Sequence, residues 1–117
     1  MALSEFLNED LAVQCSDLAG EVNKVYQHLP WAVKNEAVAR LKRQIHQLSE
    51  DVQKAQDSHN AARTKKHLET SVSLVHECVP LIGLCLRKVL LSQELHDRWI
   101  KRLSHIGHQL DEWLKAC

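Results

Sequence analysis

Eight histidines, four cysteines and fifteen lysines plus arginines are the residues of this 117-residue chain whose chemistry could define a site. A dimetal centre inside a helical bundle needs inward carboxylates and a histidine three residues after a glutamate. Glu69 is followed at that spacing by Val72 and Glu112 by Lys115, and no His-Glu-x-x-His run occurs. His105 and His108 are three apart and can share a helix face, but neither they nor His76 beside Cys78 come with further ligands. Nucleophilic catalysis fares no better, because residues 76 and 78 point to different sides of a helix and the chain has neither a nucleophile elbow nor a glycine-rich phosphate loop. The expectation is a chain with no catalytic residues, no metal and no cofactor. Cys15, Cys78, Cys85 and Cys117 form no Cys-x-x-Cys pair and read as small, reduced core residues. Cys78 and Cys85 are about 10 Å apart along a helix, too far for a disulfide.

The positive residues carry more weight. Lysines and arginines against phosphates release counterions, the main source of sequence-independent nucleic-acid affinity. They fall in clusters: Arg40, Lys42 and Arg43; Arg63, Lys65 and Lys66; Arg98, Lys101 and Arg102. Arg87 and Lys88 suit the negative end of a helix dipole, and a solvated helix surface accounts for the others without any partner. Lys plus Arg equal Asp plus Glu over the whole chain, which argues against an indiscriminate polycation, yet residues 1–30 hold five acids and one base while residues 59–91 hold five bases and two acids. A positive surface on a neutral protein is therefore allowed.

The elements that must position these side chains are helices. Three glycines and two prolines are too few for a chain of many short strands, and 44% hydrophobic residues suffice for one core in a single domain over residues 1–117. Leu11, Cys15, Leu18, Val22, Val25 and Leu29 alternate steps of four and three, a helical stripe expected over about 9–29, with Asn8 as cap and Pro30 as stop. Val38, Leu41, Ile45, Leu48, Val52 and Ala55 define a second helix over about 33–57. Leu68, Val72, Val75, Val79, Ile82, Leu86 and Val89 define a third over about 64–91. Ser92 caps a fourth, expected over about 93–115, which carries Leu95, Trp99, Leu103, Ile106, Leu110 and Trp113. Short connections make neighbours antiparallel, so the expected fold is all-α, an antiparallel up-down-up-down four-helix bundle.

The third helix is unusual. Its stretch CVPLIGLCL carries no charge and includes Pro80 and Gly83, so either a kink or a break into two helices is expected there. Leu74, Cys78, Leu81 and Cys85 add a second apolar stripe beside the first, which is either wrapped by other helices or buried between subunits. The expectation is a homo-oligomer contact through Leu74, Cys78, Leu81, Leu84 and Cys85. No apolar run approaches the length of a membrane span and the N-terminus has no signal-peptide pattern, so the expectation is a cytoplasmic protein with no membrane partner.

DLAVQCSDLAGEVNKVYQHLP resembles the first helix of small bacterial four-helix bundle proteins known from intervening sequences in ribosomal RNA genes. LKRQIHQLSEDVQKAQDS is similar to that family's second helix, and LLSQELHDRWIKRLSHIGHQLDEWLKAC to its last. Gly107, Leu110 and Trp113 match the closing pattern of the related accessory variability determinant of diversity-generating retroelements. The family's serine-isoleucine-proline and alanine-glutamate-glycine signature is replaced by LSEDVQKAQDS. The resemblance covers residues 10 to 115 and implies a barrel-shaped homopentamer that binds RNA or DNA and a reverse transcriptase. A protein-interaction scaffold that touches no nucleic acid is the alternative.

Overall fold

The computed structural model of the chain describes residues 10–30 and 36–117. The first helix, α1, runs Leu11–His28, and its cap is Asp10, whose carboxylate accepts from the Ala12 amide at 2.8 Å. That bond satisfies one of the amides every helix start leaves free. Asn8, the cap expected from sequence, lies outside the described residues. Leu29 turns extended ahead of Pro30, the geometry a following proline enforces. The second helix, α2, is described over Glu36–Asp57, its expected start at 33 also falling outside the described residues. Asn60 accepts from the Arg63 amide at 3.1 Å and starts α3, Ala61–Arg87, earlier than the apolar period suggests. Ser92 caps α4, Gln93–Ala116, by accepting from the Leu95 amide at 3.1 Å.

Among the described residues there is no strand, and the four helices form an antiparallel bundle in which α2 packs on α1 and α3, and α3 on α4. Side-chain bonds fix the directions: Gln56 at the end of α2 donates to Asp10 at the start of α1 (2.9 Å), and Gln44 of α2 donates to Glu77 of α3 (2.6 Å). The contact between α1 and α4 is the thinnest of the four.

Pro80 neither breaks nor ends α3. Pro80 and His76 are both exposed, so the carbonyl that loses its partner belongs to the water-facing side of the helix. The core face of α3 differs from the expected one. Leu68, Ser71, Val75, Cys78, Ile82 and Cys85 are buried, whereas Val79 is 39% exposed and Val72 only half-buried. The helix is rotated so that its small residues, Ser71, Cys78 and Cys85, face inward and let neighbours approach closely. Gly107 of α4 shows how closely, since a Cβ there would stand 3.4 Å from Cγ1 of Val75.

The third helix ends at Arg87 rather than 91 because the chain turns left-handed at Val89, with φ of 59°. The Leu90 amide reaches back to the Cys85 carbonyl and the Val89 amide to Leu86, both at 2.9 Å, the paired bonds of a Schellman turn. Glycine normally occupies this position, and a β-branched residue there is strained by about 1–2 kcal/mol. Val89 is 87% exposed, so its side chain returns little by burial. Val89→Gly should raise the unfolding free energy by about 1 kcal/mol, the strain relief exceeding glycine's extra unfolded-state entropy. A urea midpoint unchanged or lowered in the variant would show the strain to be absent.

Candidate functional site

The described bundle, 45 Å long, divides the expected basic residues between its two ends. At the end formed by the α2–α3 turn, Arg63, Lys65 and Lys66 are exposed on the first two turns of α3, and none makes an ion pair among the described residues. The first turn of α3 holds no acid. Near the other end, roughly 20 Å away by the helix rise, Arg40 is exposed. Arg43 beside it is held by Glu36 at 2.7 Å, and the Lys42 ammonium lies 4.8 Å from the centroid of the Tyr26 ring.

The three bases of α4 do not form one surface. Lys101 is exposed, but Arg98 and Arg102 both turn inward onto Glu21 of α1. Arg102 is 2% exposed and gives Nη1 to Glu21 Oε2 at 2.6 Å, and Arg98 gives Nη2 to Oε1. Trp99, itself buried, adds Nε1 to Oε1 at 3.1 Å. Arg102 therefore cannot reach a phosphate and leaves the set of surface candidates. Its position one step beside the apolar stripe places it in the thin α1–α4 contact, where a guanidinium needs a carboxylate partner. Burial pushes the Glu21 carboxyl up, but the hydrogen bonds from Trp99 and Arg98 and the charges of Arg102 and Arg98 outweigh it and hold the group below its ordinary value.

The second apolar stripe of α3 is also redistributed. Leu74, Cys78 and Cys85 are covered by the chain's own helices, so they do not exceed what one bundle can accommodate. Leu81 and Leu84 remain half-buried and line a groove of about 310 Å³ with Arg40, Lys88 and the start of α2.

Cys15, Cys78 and Cys85 are buried and free, and burial pushes the Cys15 and Cys78 thiols up to about 12, which keeps them protonated and unreactive. Cys117 is exposed, contrary to its expected place in the core. Among the described residues no group of three or more His, Cys, Asp or Glu side chains is placed to hold a metal ion.

Two features escaped the sequence reading. Asp51 of α2 is buried, 3.5 Å from Nδ1 of His67 on α3 and 3.1 Å from Nε2 of Gln47. His67, His59, Lys54 and Arg63 then line one cleft of about 550 Å³ at the α2–α3 turn. The signal was an aspartate three residues after Leu48, at a core phase of α2. The other feature is α3 itself, which contains an 18-residue window of mean hydropathy 1.3 and so has the length and composition to cross a membrane. No unbroken apolar run of that length is present, since Glu77 interrupts it, and the window reaches this hydropathy only as an average. A core helix wrapped by neighbours passes the same test, and α3 packs against both α2 and α4.

Compared with models of protein families, with curated proteins and with solved structures, the chain matches none.

Proposed function

We propose that the chain is a non-enzymatic, cytoplasmic, oligomeric module that binds RNA or DNA through the α2–α3 end of the bundle. The observation that carries this reading is the placement of Arg63, Lys65 and Lys66, exposed and without ion pairs among the described residues, at the N-terminus of a 27-residue helix. Positive charge in the first turn opposes the helix dipole, so Arg63 costs about 0.3–1 kcal/mol there, and the effect fades by Lys65 and Lys66 in the second turn. The helix start gains no stability from these bases, whereas their charge and the dipole both attract an anion. Arg40 and Lys101 are the other exposed members of the set. Self-association, a pentamer by the resemblance, would use the half-buried Leu81 and Leu84 and would repeat the basic cluster around an axis, raising avidity without raising the affinity of one site. The resemblance also makes a reverse transcriptase of a diversity-generating retroelement the expected protein partner.

The scaffold reading draws on one observation, that Arg43, Arg98 and Arg102 are engaged by carboxylates of the same chain. A salt titration with a single-stranded RNA and a duplex DNA separates the two. Wild type should bind both, with affinity falling steeply in salt. Lys65→Glu with Lys66→Glu should reduce the log–log slope by about two, close to one per lost phosphate contact. Arg40→Glu with Arg43→Glu should reduce it by at most about one, because Glu36 already holds Arg43. Absence of wild-type binding at low salt, or a lysine double reversal that binds like wild type, hands the function to the scaffold.

A further inference from the structure

The cleft at the α2–α3 turn contains a histidine whose two ring nitrogens have different surroundings. Nδ1 of His67 stands 3.5 Å from Oδ1 of Asp51, a carboxylate only 8% exposed, and the second oxygen of that carboxylate accepts from Gln47 Nε2 at 3.1 Å. Asp51 thus lies beside the Nδ1 edge of the imidazole, and Gln47 holds its other oxygen. A carboxylate at Nδ1 favours the tautomer with its proton on Nδ1. Nε2 is then the nitrogen left to accept or donate elsewhere, and His67 is one of the residues lining the cleft. The other titratable or charged groups of this cleft are Lys54 and Asp57 of α2, His59 of the turn and Arg63 of α3. Asp57 accepts from Gln53 Nε2 at 3.0 Å, which directs one of its oxygens along its own helix.

We infer that this cleft seats a backbone phosphodiester between Lys54, Arg63 and His67, and that protonation of His67 strengthens the seat. The inference rests on the nucleic-acid reading above and adds to it the place of one phosphate and its dependence on pH. A neutral imidazole with its proton on Nδ1 presents a lone pair at Nε2, which repels a phosphate oxygen. Once protonated, the same nitrogen donates a charge-assisted hydrogen bond, while the Nδ1 proton stays directed at Asp51. A phosphodiester keeps its single negative charge across the range in which histidines titrate, so the change belongs to the protein. Lys54 and Arg63, which line the same cleft, supply a constant attraction, and the buried Asp51 stays beside Nδ1 in both states.

The test is fluorescence anisotropy with a short labelled single-stranded RNA that has no terminal phosphate, at about pH 6 and about pH 8 and constant ionic strength. Wild type should bind on the order of five- to tenfold more tightly at the lower pH, the size of one added charge-assisted bond at a partly exposed site. His67→Asn retains a donor toward Asp51 and removes the ring's second nitrogen, and its ratio should fall to about twofold or less while its affinity near pH 8 stays close to wild type. Lys65→Ala should weaken binding at both pH values and keep the wild-type ratio. A His67→Asn variant that keeps the wild-type ratio, with far-UV circular dichroism showing it folded, overturns this inference and leaves the nucleic-acid reading standing. Wild type that binds at neither pH overturns both.

Discussion

Trp99→Ala should lower the unfolding free energy by about 3–5 kcal/mol, a large part of the 5–15 kcal/mol that holds a domain of this size together. Trp99 is among the largest side chains wholly enclosed by the bundle, at 1% exposure. Its truncation removes more packed volume than any single leucine change. It also lies in the α1–α4 contact, the thinnest between neighbouring helices, so few other contacts bridge the gap it would leave. The same change takes away the indole donor to Glu21. Trp99→Phe separates the two losses, since it retains most of the apolar volume and forfeits the hydrogen bond, for an expected cost of about 1–2 kcal/mol. Urea unfolding followed by far-UV circular dichroism measures both, with the midpoint moving and the slope constant. An alanine variant within about 1 kcal/mol of wild type would mean that Trp99 does not bridge α1 and α4 as described.

The bundle was legible because three of its stripes are clean. Leu18 and Val22 of α1, Leu41, Ile45 and Leu48 of α2, and Leu103, Ile106 and Leu110 of α4 are all buried where a 3.6-residue period puts them. Helix α3 was harder because its charge-free half offers two apolar faces, and periodicity alone cannot choose between them. Packing distance decides: the face with Ser71, Cys78 and Cys85 fits close to its neighbours, while the face with Val79 is bulkier and is turned outward. Its end was hidden for a different reason. Val89, Leu90 and Leu91 continue the apolar run, and no glycine announces the left-handed turn at Val89.

The site residues were legible in proportion to their distance from a helix interface. Arg63, Lys65 and Lys66 are exposed, as their charge predicts. Arg98 and Arg102 follow Leu95 and Trp99 by three residues, and Glu21 follows Leu18 by three, so all border a stripe. A polar residue at such a position meets the neighbouring helix. Opposite charges on α1 and α4 at that phase are a pairing signal, but single-helix periodicity cannot register it, because it exists only once the two helices are placed side by side. Asp51 and His67 pair across α2 and α3 for the same reason.

Glu21→Gln gives the most direct measure of that cross-helix network. The substitution is nearly isosteric, yet it places an amide against two guanidinium groups, one of them on the almost fully buried Arg102. Removing one partner of a buried ion pair costs about 3–5 kcal/mol, and partial solvent access at Glu21 and Arg98 reduces the expectation to about 2–3 kcal/mol at pH 7. The pH dependence identifies the cause. Burial raises the Glu21 carboxyl, but Trp99, Arg98 and Arg102 together hold it below its ordinary value in the folded protein. A carboxyl so depressed contributes stability that is fully present above its unfolded value, roughly 4.3, and that is lost as the pH falls through the folded one. Glutamine has no such titration. The two proteins should therefore differ most at neutral pH, and their unfolding free energies should approach each other on acidification below about pH 4. A gap that stays constant from pH 7 down to about pH 3 would show that shape, rather than the carboxylate charge, is what Arg98 and Arg102 require of residue 21.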